Sequence, residues 1–204
     1  MAAPRPLILG STSRYRRELL ERLRLPFACV APLVDETPRP AEAPAALALR
    51  LALAKAQAVA ALHPQAVVIG SDQVADLHGR PVGKPGTHEA AMAQLKQMSG
   101  QQVVFQTAVA VVCVASGFAE TTLAAVTVQF RELSDVEIER YLRLDQPYDC
   151  AGSAKSESLG IVLLSAIHSD DPTALIGLPL IRTSQLLRRA GIDALSAAPL
   201  PTSP

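Results

Sequence analysis

The chain has 204 residues, is 49% apolar, and carries 19 Lys and Arg against 19 Asp and Glu. That zero balance argues against a duplex nucleic-acid binder, which needs a basic footprint, and three Tyr, four Phe and no Trp argue against a stacking platform for single strands. Cys29, Cys113 and Cys150 show no CxxC spacing, so a disulfide framework and a zinc site are poor fits and a reducing cytoplasm is the expected home.

The elements follow in order. Leu7-Ile8-Leu9 reads as a strand, Gly10 to Ser13 as a small polar turn, and Arg14 to Arg24 as a helix with Ser13 at its N-cap. A strand, a Ser-rich turn and a helix start aim backbone N–H groups at one point, which suits phosphate. Arg14, Arg16 and Arg17 oppose the helix dipole there, which an anion would relieve; the alternative is plain solvated charge. Phe27 to Val30 is a second strand. Asp35 and Glu36 follow in a Pro-rich loop, as candidate Mg²⁺ ligands or as wet surface. Residues 45–62 form an Ala/Leu-rich helix with Lys55 in its middle, where a solvated or snorkelling side chain is the default. The apolar run near the N-terminus is too short for a signal peptide, and charges or prolines interrupt every longer run, so no membrane span is expected.

The stretch Val67 to Gln73 then starts as a buried strand and ends on a carboxylate. Gly70 permits a turn or a close approach, and Asp72 is expected just past the strand's C-terminal edge. There it either caps a turn, or holds a metal or takes a proton from water. His78-Gly79 marks a hairpin, and Lys84, between Gly83 and Pro85, is a candidate phosphate contact. Thr87 to Met98 is a helix closed by Gly100. Gln102 to Ala115 and Phe118 to Phe130 form a long hairpin. Ser134 and Glu137 make a capping box for a helix to Leu144. A small-residue loop with Lys155 and Glu157 leads to a strand at Ile161 to Ile167. Asp171-Pro172 opens a helical turn, and Leu180 to Arg189 is the last helix. Residues 5–195 make one domain, and 196–204 read as a disordered tail. The four histidines fall in no metal-binding spacing, and no GxSxG elbow exists.

Cations, paired carboxylates and an Asp beside a strand end make a nucleotide-hydrolase pattern. GSTSRYRRELL, VDETP, LALAKAQAV, VVIGSDQVADLHGRPVGKP, CAGSAKSESLGI and IGLPL, in this order, resemble the Maf family of nucleoside triphosphate pyrophosphatases over roughly Leu7 to Leu195. The resemblance implies an α/β fold with a long mixed sheet flanked by helices, in two lobes around a cleft. It implies hydrolysis between the α- and β-phosphates with a divalent cation, Mg²⁺ or Mn²⁺. By motif, Asp72 matches the proton acceptor. Ser11, Ser13, Arg16, Arg17, Lys55 and Lys84 match the phosphate site, Glu36 and Asp72 the metal site, and Tyr15, Gln73 and Glu157 the positions that select the base.

An aromatic ring at 15 and a carboxylate at 157 favour the branch that acts on 7-methyl-GTP, because 7-methylguanine is cationic. The pyrimidine branch has Arg and Gln at those positions. Tyr15 stands where that 7-methyl-GTP branch has Trp, and Arg14 where it has Pro. The implied partner is a small nucleotide, with no nucleic acid and no membrane, and with a homodimer as one open assembly. The rival readings are a dTTP/UTP pyrophosphatase and a non-catalytic nucleotide-binding regulator of septum formation.

Overall fold

The computed structural model describes residues 5–197. Its centre is a seven-stranded mixed sheet in the order β2-β1-β3-β5-β6-β7, with β4 paired to β3 outside that path. β1 (Leu7–Leu9), β2 (Ala28–Cys29) and the start of β3 (Val67–Leu77) run parallel. β4 (Arg80–Val82), β5 (Gln102–Cys113), β6 (Phe118–Phe130) and β7 (Leu164–His168) join antiparallel. The fold is therefore the α/β architecture with a long mixed sheet that the family resemblance implied.

The pleat sorts the helices. Val67 and Ile69 of β3 join Leu7, Leu9, Val109 and Val111 on one face, covered by α1 (Arg14–Glu21) and α5 (Leu180–Arg189). Val68 and Val74 join Ile8, Ala108 and Ala110 on the other, covered by α2 (Pro44–Leu62). Side chains alternate with a period of two along a strand. Gly70 and Asp72 therefore fall on the α2 face. A third cluster, around Phe105, Val126 and Phe130, buries α3 (His88–Met98) and α4 (Asp135–Asp145) against the far end of the hairpin.

α2 is long and apolar enough, by length and composition alone, to cross a bilayer. Here it is a core helix. Leu47, Ala48, Leu51, Ala52, Ala56, Val59 and Ala60 are buried against the sheet. Gly70 makes that packing close. A Cβ at this position would collide with the Ala52 carbonyl oxygen and lie 2.5 Å from the Ala56 nitrogen.

Several boundaries depart from the sequence reading. β3 does not stop short of Asp72 but runs to Leu77, because β5 and β4 supply hydrogen-bond partners on both its edges. Asp72 thus lies inside a strand, although it projects beyond the end of the shorter parallel neighbour β1, which stops at Leu9. α1 ends at Glu21, since Arg24 turns the chain with φ of 55° and directs Leu25 into the core.

The segment before β7 is a 3-10 turn over Leu159–Leu163, wound tightly because Gly160 abuts the backbone of Lys155. Asp171 does not cap the 3-10 turn at Pro172–Ile176. Fully buried, its Oδ2 accepts from the Arg182 backbone N–H at 2.9 Å, so it caps α5 across the chain. The chain forms a short helix, α6 (Ala194–Ala197), where the tail was expected to begin; residues 198–204 lie outside those described.

Candidate active site

A cleft of about 760 Å³ opens where β1 stops and β3 continues. Its floor is the contact between α2 and β3. The buried face of α2 runs through 51, 52, 55, 56, 59 and 60, so Lys55 points at the sheet and not at solvent. Its Nζ lies 2.7 Å from Asp72 Oδ1 and 2.9 Å from Glu36 Oε1. Lys55 and Asp72 are 5% and 6% exposed, whereas the Glu36 side chain is 57% exposed. A buried ion pair of this kind persists only with good geometry on both partners.

One wall is the Ser11–Arg16 segment. The Ser11 hydroxyl accepts from the Ser13 N–H at 3.1 Å, and the Ser13 hydroxyl caps α1 by accepting from the Arg16 N–H at 3.4 Å. The first turn of α1 has no acidic residue, so its free N–H groups and positive end face the cleft without an internal counter-anion. Arg16 is held from behind, its Nε donating to the Gly177 carbonyl at 2.9 Å. The same carbonyl accepts from the Ser71 hydroxyl at 3.0 Å, tying β3 to the turn before α5. Burial lowers the Arg16 guanidinium below the ordinary arginine value, and the charges of Asp72 and Glu36 oppose that shift. The opposite rim holds Lys84, which is exposed and forms no ion pair among the described residues.

At the other end Tyr15 meets the loop at 149–151. Gln73 also lines the cleft, but its amide N–H groups are engaged with Thr107 Oγ1 at 3.0 Å and with the carbonyls of Ala174 and Leu175, both at 2.9 Å. The structure therefore brings Ser11, Ser13, Tyr15, Arg16, Glu36, Lys55, Asp72, Gln73 and Lys84 to one cleft.

Two expected site residues stand apart. Arg17 points away from the cleft and pairs with Glu21 at 3.0 Å, one helical turn on, with both side chains largely exposed. Helical spacing explains this: 16 and 17 lie about 100° apart around α1, so only one can face the cleft. Glu157 is exposed and does not line the cleft. Asp35 also stays outside it, capping the Thr37 N–H at 2.9 Å. Asp149 and Arg14 do line it. No spacing in the sequence singles out Asp149, which looks like one more acidic loop residue. Lys55 had a readable signal, since its position on the apolar stripe of α2 marks it as buried.

The chain is similar to known proteins over most of its length. Residues 6–190 match the family model described as Maf-like protein. Over 188 residues the chain is 70% identical to a 7-methyl-GTP pyrophosphatase of Polaromonas sp., covering 92% of this chain and 86% of that protein. It is 65% identical over 193 residues to a protein of the same name from Albidiferax ferrireducens, covering 95% and 97%. A third of that name, from Bordetella pertussis, is 58% identical over 199 residues, covering 97% and 98%. With the family match spanning nearly every described element, from β1 to the end of α5, the chain belongs to the Maf family.

Proposed function

We propose that this protein is a nucleoside triphosphate pyrophosphatase that hydrolyses 7-methyl-GTP to 7-methyl-GMP and pyrophosphate, and so removes a modified nucleotide from the pool. The observation that carries the reading is the Glu36–Lys55–Asp72 contact at the floor of a cleft whose wall is the open start of α1. The names of the relatives agree with it.

The residues divide the work. The N–H groups at the start of α1, with the Ser11 and Ser13 hydroxyls, receive phosphate oxygens. Arg16 and Lys84 approach from opposite rims and neutralise the charge that grows on the leaving pyrophosphate. Asp72 orients the attacking water and takes its proton as the water oxygen bonds to the α-phosphorus and the bond to the β-phosphate oxygen breaks. Lys55 holds that carboxylate in place. Tyr15 lays an aromatic face against the base. Gln73, with its N–H groups engaged, offers the base only its carbonyl oxygen.

The donor set fits a divalent cation. Glu36 and Asp72 each place an oxygen within 2.9 Å of the same ammonium, so both converge on one positive point beside the cleft. Mg²⁺ and Mn²⁺ take one or two carboxylates and complete their shells with water and phosphate. Glu36 and Asp72 would hold the ion, which when bound polarises the phosphate and eases deprotonation of water.

The test is pyrophosphate release with Mg²⁺ across 7-methyl-GTP, GTP, dTTP, UTP and CTP, with Asp72→Asn alongside. The expected outcome is preference for 7-methyl-GTP and a loss of about 10²–10⁴-fold in Asp72→Asn. Preference for dTTP and UTP would move the reading to the pyrimidine enzyme. Binding without turnover would move it to a nucleotide-binding regulator.

A further inference from the structure

The base end of the cleft carries a carboxylate fixed from two sides. Asp149 Oδ2 accepts from the Tyr15 hydroxyl at 3.4 Å, and Oδ1 accepts from the Lys155 ammonium at 3.1 Å. Lys155 is itself buried. Its backbone N–H donates to the Tyr141 hydroxyl at 3.1 Å, and its ammonium lies 6.0 Å from the centre of the Tyr15 ring. Asp149 remains 58% exposed, so the carboxylate is held and yet open to the cleft. A carboxylate has about four acceptor sites, and these two contacts leave the rest free.

This corner already holds a planar cation. The Arg14 guanidinium lies 4.7 Å over the Tyr15 ring and donates to the Tyr15 hydroxyl at 2.9 Å. The ground behind it is acidic. Asp145, Asp149 and Glu157 all act on the Cys150 thiol, and Lys155 alone opposes them; burial first, and then those carboxylates, push the thiol up to about 12. Glu157 contributes to this field from outside the cleft.

We propose that Asp149 is a further carboxylate that selects a positively charged purine here, and that Arg14 occupies the same aromatic face until the base displaces it. This rests on the 7-methyl-GTP reading given above. Methylation at N7 puts positive charge on the guanine ring, and the N1–H and exocyclic N–H₂ of that ring point along one edge. A ring lying on Tyr15 gains from its charge, as Arg14 does, and its donor edge meets a carboxylate in charge-assisted hydrogen bonds. Neutral guanine has the same donors but not the charge.

The experiment compares kcat/KM for 7-methyl-GTP with that for GTP in the wild type, Asp149→Asn and Arg14→Ala. Equilibrium binding of 7-methyl-GMP and GMP is measured beside it. In Asp149→Asn the ratio should fall about tenfold, through KM and with a matching loss of 7-methyl-GMP affinity. In Arg14→Ala it should rise by about threefold, as a competing cation leaves the ring.

An Asp149→Asn enzyme that keeps the ratio overturns the inference, as does one that loses both nucleotides equally, the mark of a structural role. If Asp149→Asn does not fold, Arg14→Ala on its exposed site decides: an unchanged or lowered ratio is fatal. A wild type without preference for 7-methyl-GTP removes the substrate reading and this inference with it. Preference kept in Asp149→Asn removes the inference alone.

Discussion

The two ends of the cleft are built differently. At the phosphate end every charged partner but Glu36 and Lys84 stands on a regular element: Lys55 on α2, Asp72 on β3, Arg16 on α1. Lys55 and Asp72 are almost wholly buried, and their separation is set by how closely a helix packs on a sheet. At the base end Asp149 sits in a loop, and Tyr15, at the start of α1, reaches it through an exposed hydrogen bond. The contrast teaches where each property is kept. Reaction chemistry needs atoms held within a fraction of an ångström, which rigid elements provide. Choice of base needs a surface that can be altered without moving the catalytic groups, which loops provide.

The comparison breaks hardest at Lys55. Lys55→Met should cut pyrophosphate release by more than about 10²-fold, because the charge that holds Asp72 and faces the phosphates is gone. It should also cost about 3–5 kcal/mol in urea unfolding, since a buried carboxylate loses its partner. Activity within tenfold of wild type would mean the phosphate end does not depend on that pair.

Gly70→Ala probes the same end without touching a charge. The new methyl has no room beside Ala52 and Ala56, so α2 must back away from β3. The expected cost is about 1–3 kcal/mol of stability, with a fall in kcat because Lys55 and Asp72 part. Unchanged kcat would show that the spacing of α2 and β3 is not what aligns the site.

Tyr15→Leu sharpens the other half of the comparison. Losing the aromatic face should cost about 0.5–2 kcal/mol of binding, read as a raised KM for 7-methyl-GTP, with kcat much less affected. A collapse of kcat instead would mean the two ends are not separable.

The smallest effect expected is in thiol labelling at pH 8. Cys29 is exposed, Cys113 is buried, and the Cys150 thiol is pushed up to about 12 by burial and neighbouring carboxylates. Only Cys29 should react quickly, because the thiolate is the nucleophile. Cys150 reacting as fast as Cys29 would show the base-end loop opening in solution.

Local chemistry was legible where it repeats along the chain. The Ser13, Thr87 and Ser134 caps form as their spacing implied, and the Ser134–Glu137 capping box is complete. β1 and α5 fall on the residues their apolar patterns mark. The long hairpin does so nearly as well, with the 3-10 turn Val114–Ser116 at its tip. Patterns fail where a distant partner decides. Nothing near Gln73 tells that β5 will extend β3 to Leu77, and nothing near Asp171 tells that its carboxylate will cap a helix that starts at Leu180.

The sequence by itself determined the mixed α/β layout, the Ser-capped start of α1, and the company of Asp72, Lys55, Glu36 and Arg16 as candidates for one site. The cap follows from local spacing, while the mixed sheet and the place of Lys55 beside Asp72 follow from the order of motifs that the chain shares with the Maf family. Tertiary structure alone decided which candidates meet. It turned Lys55 inward through the stripe of α2 and used Gly70 to bring that helix onto β3. It sent Arg17 to Glu21 and left Glu157 outside, while Asp149 came to the base end. The reason is that which side chains share a cleft depends on the angle and depth at which elements pack, and those are set by contacts between residues far apart in sequence.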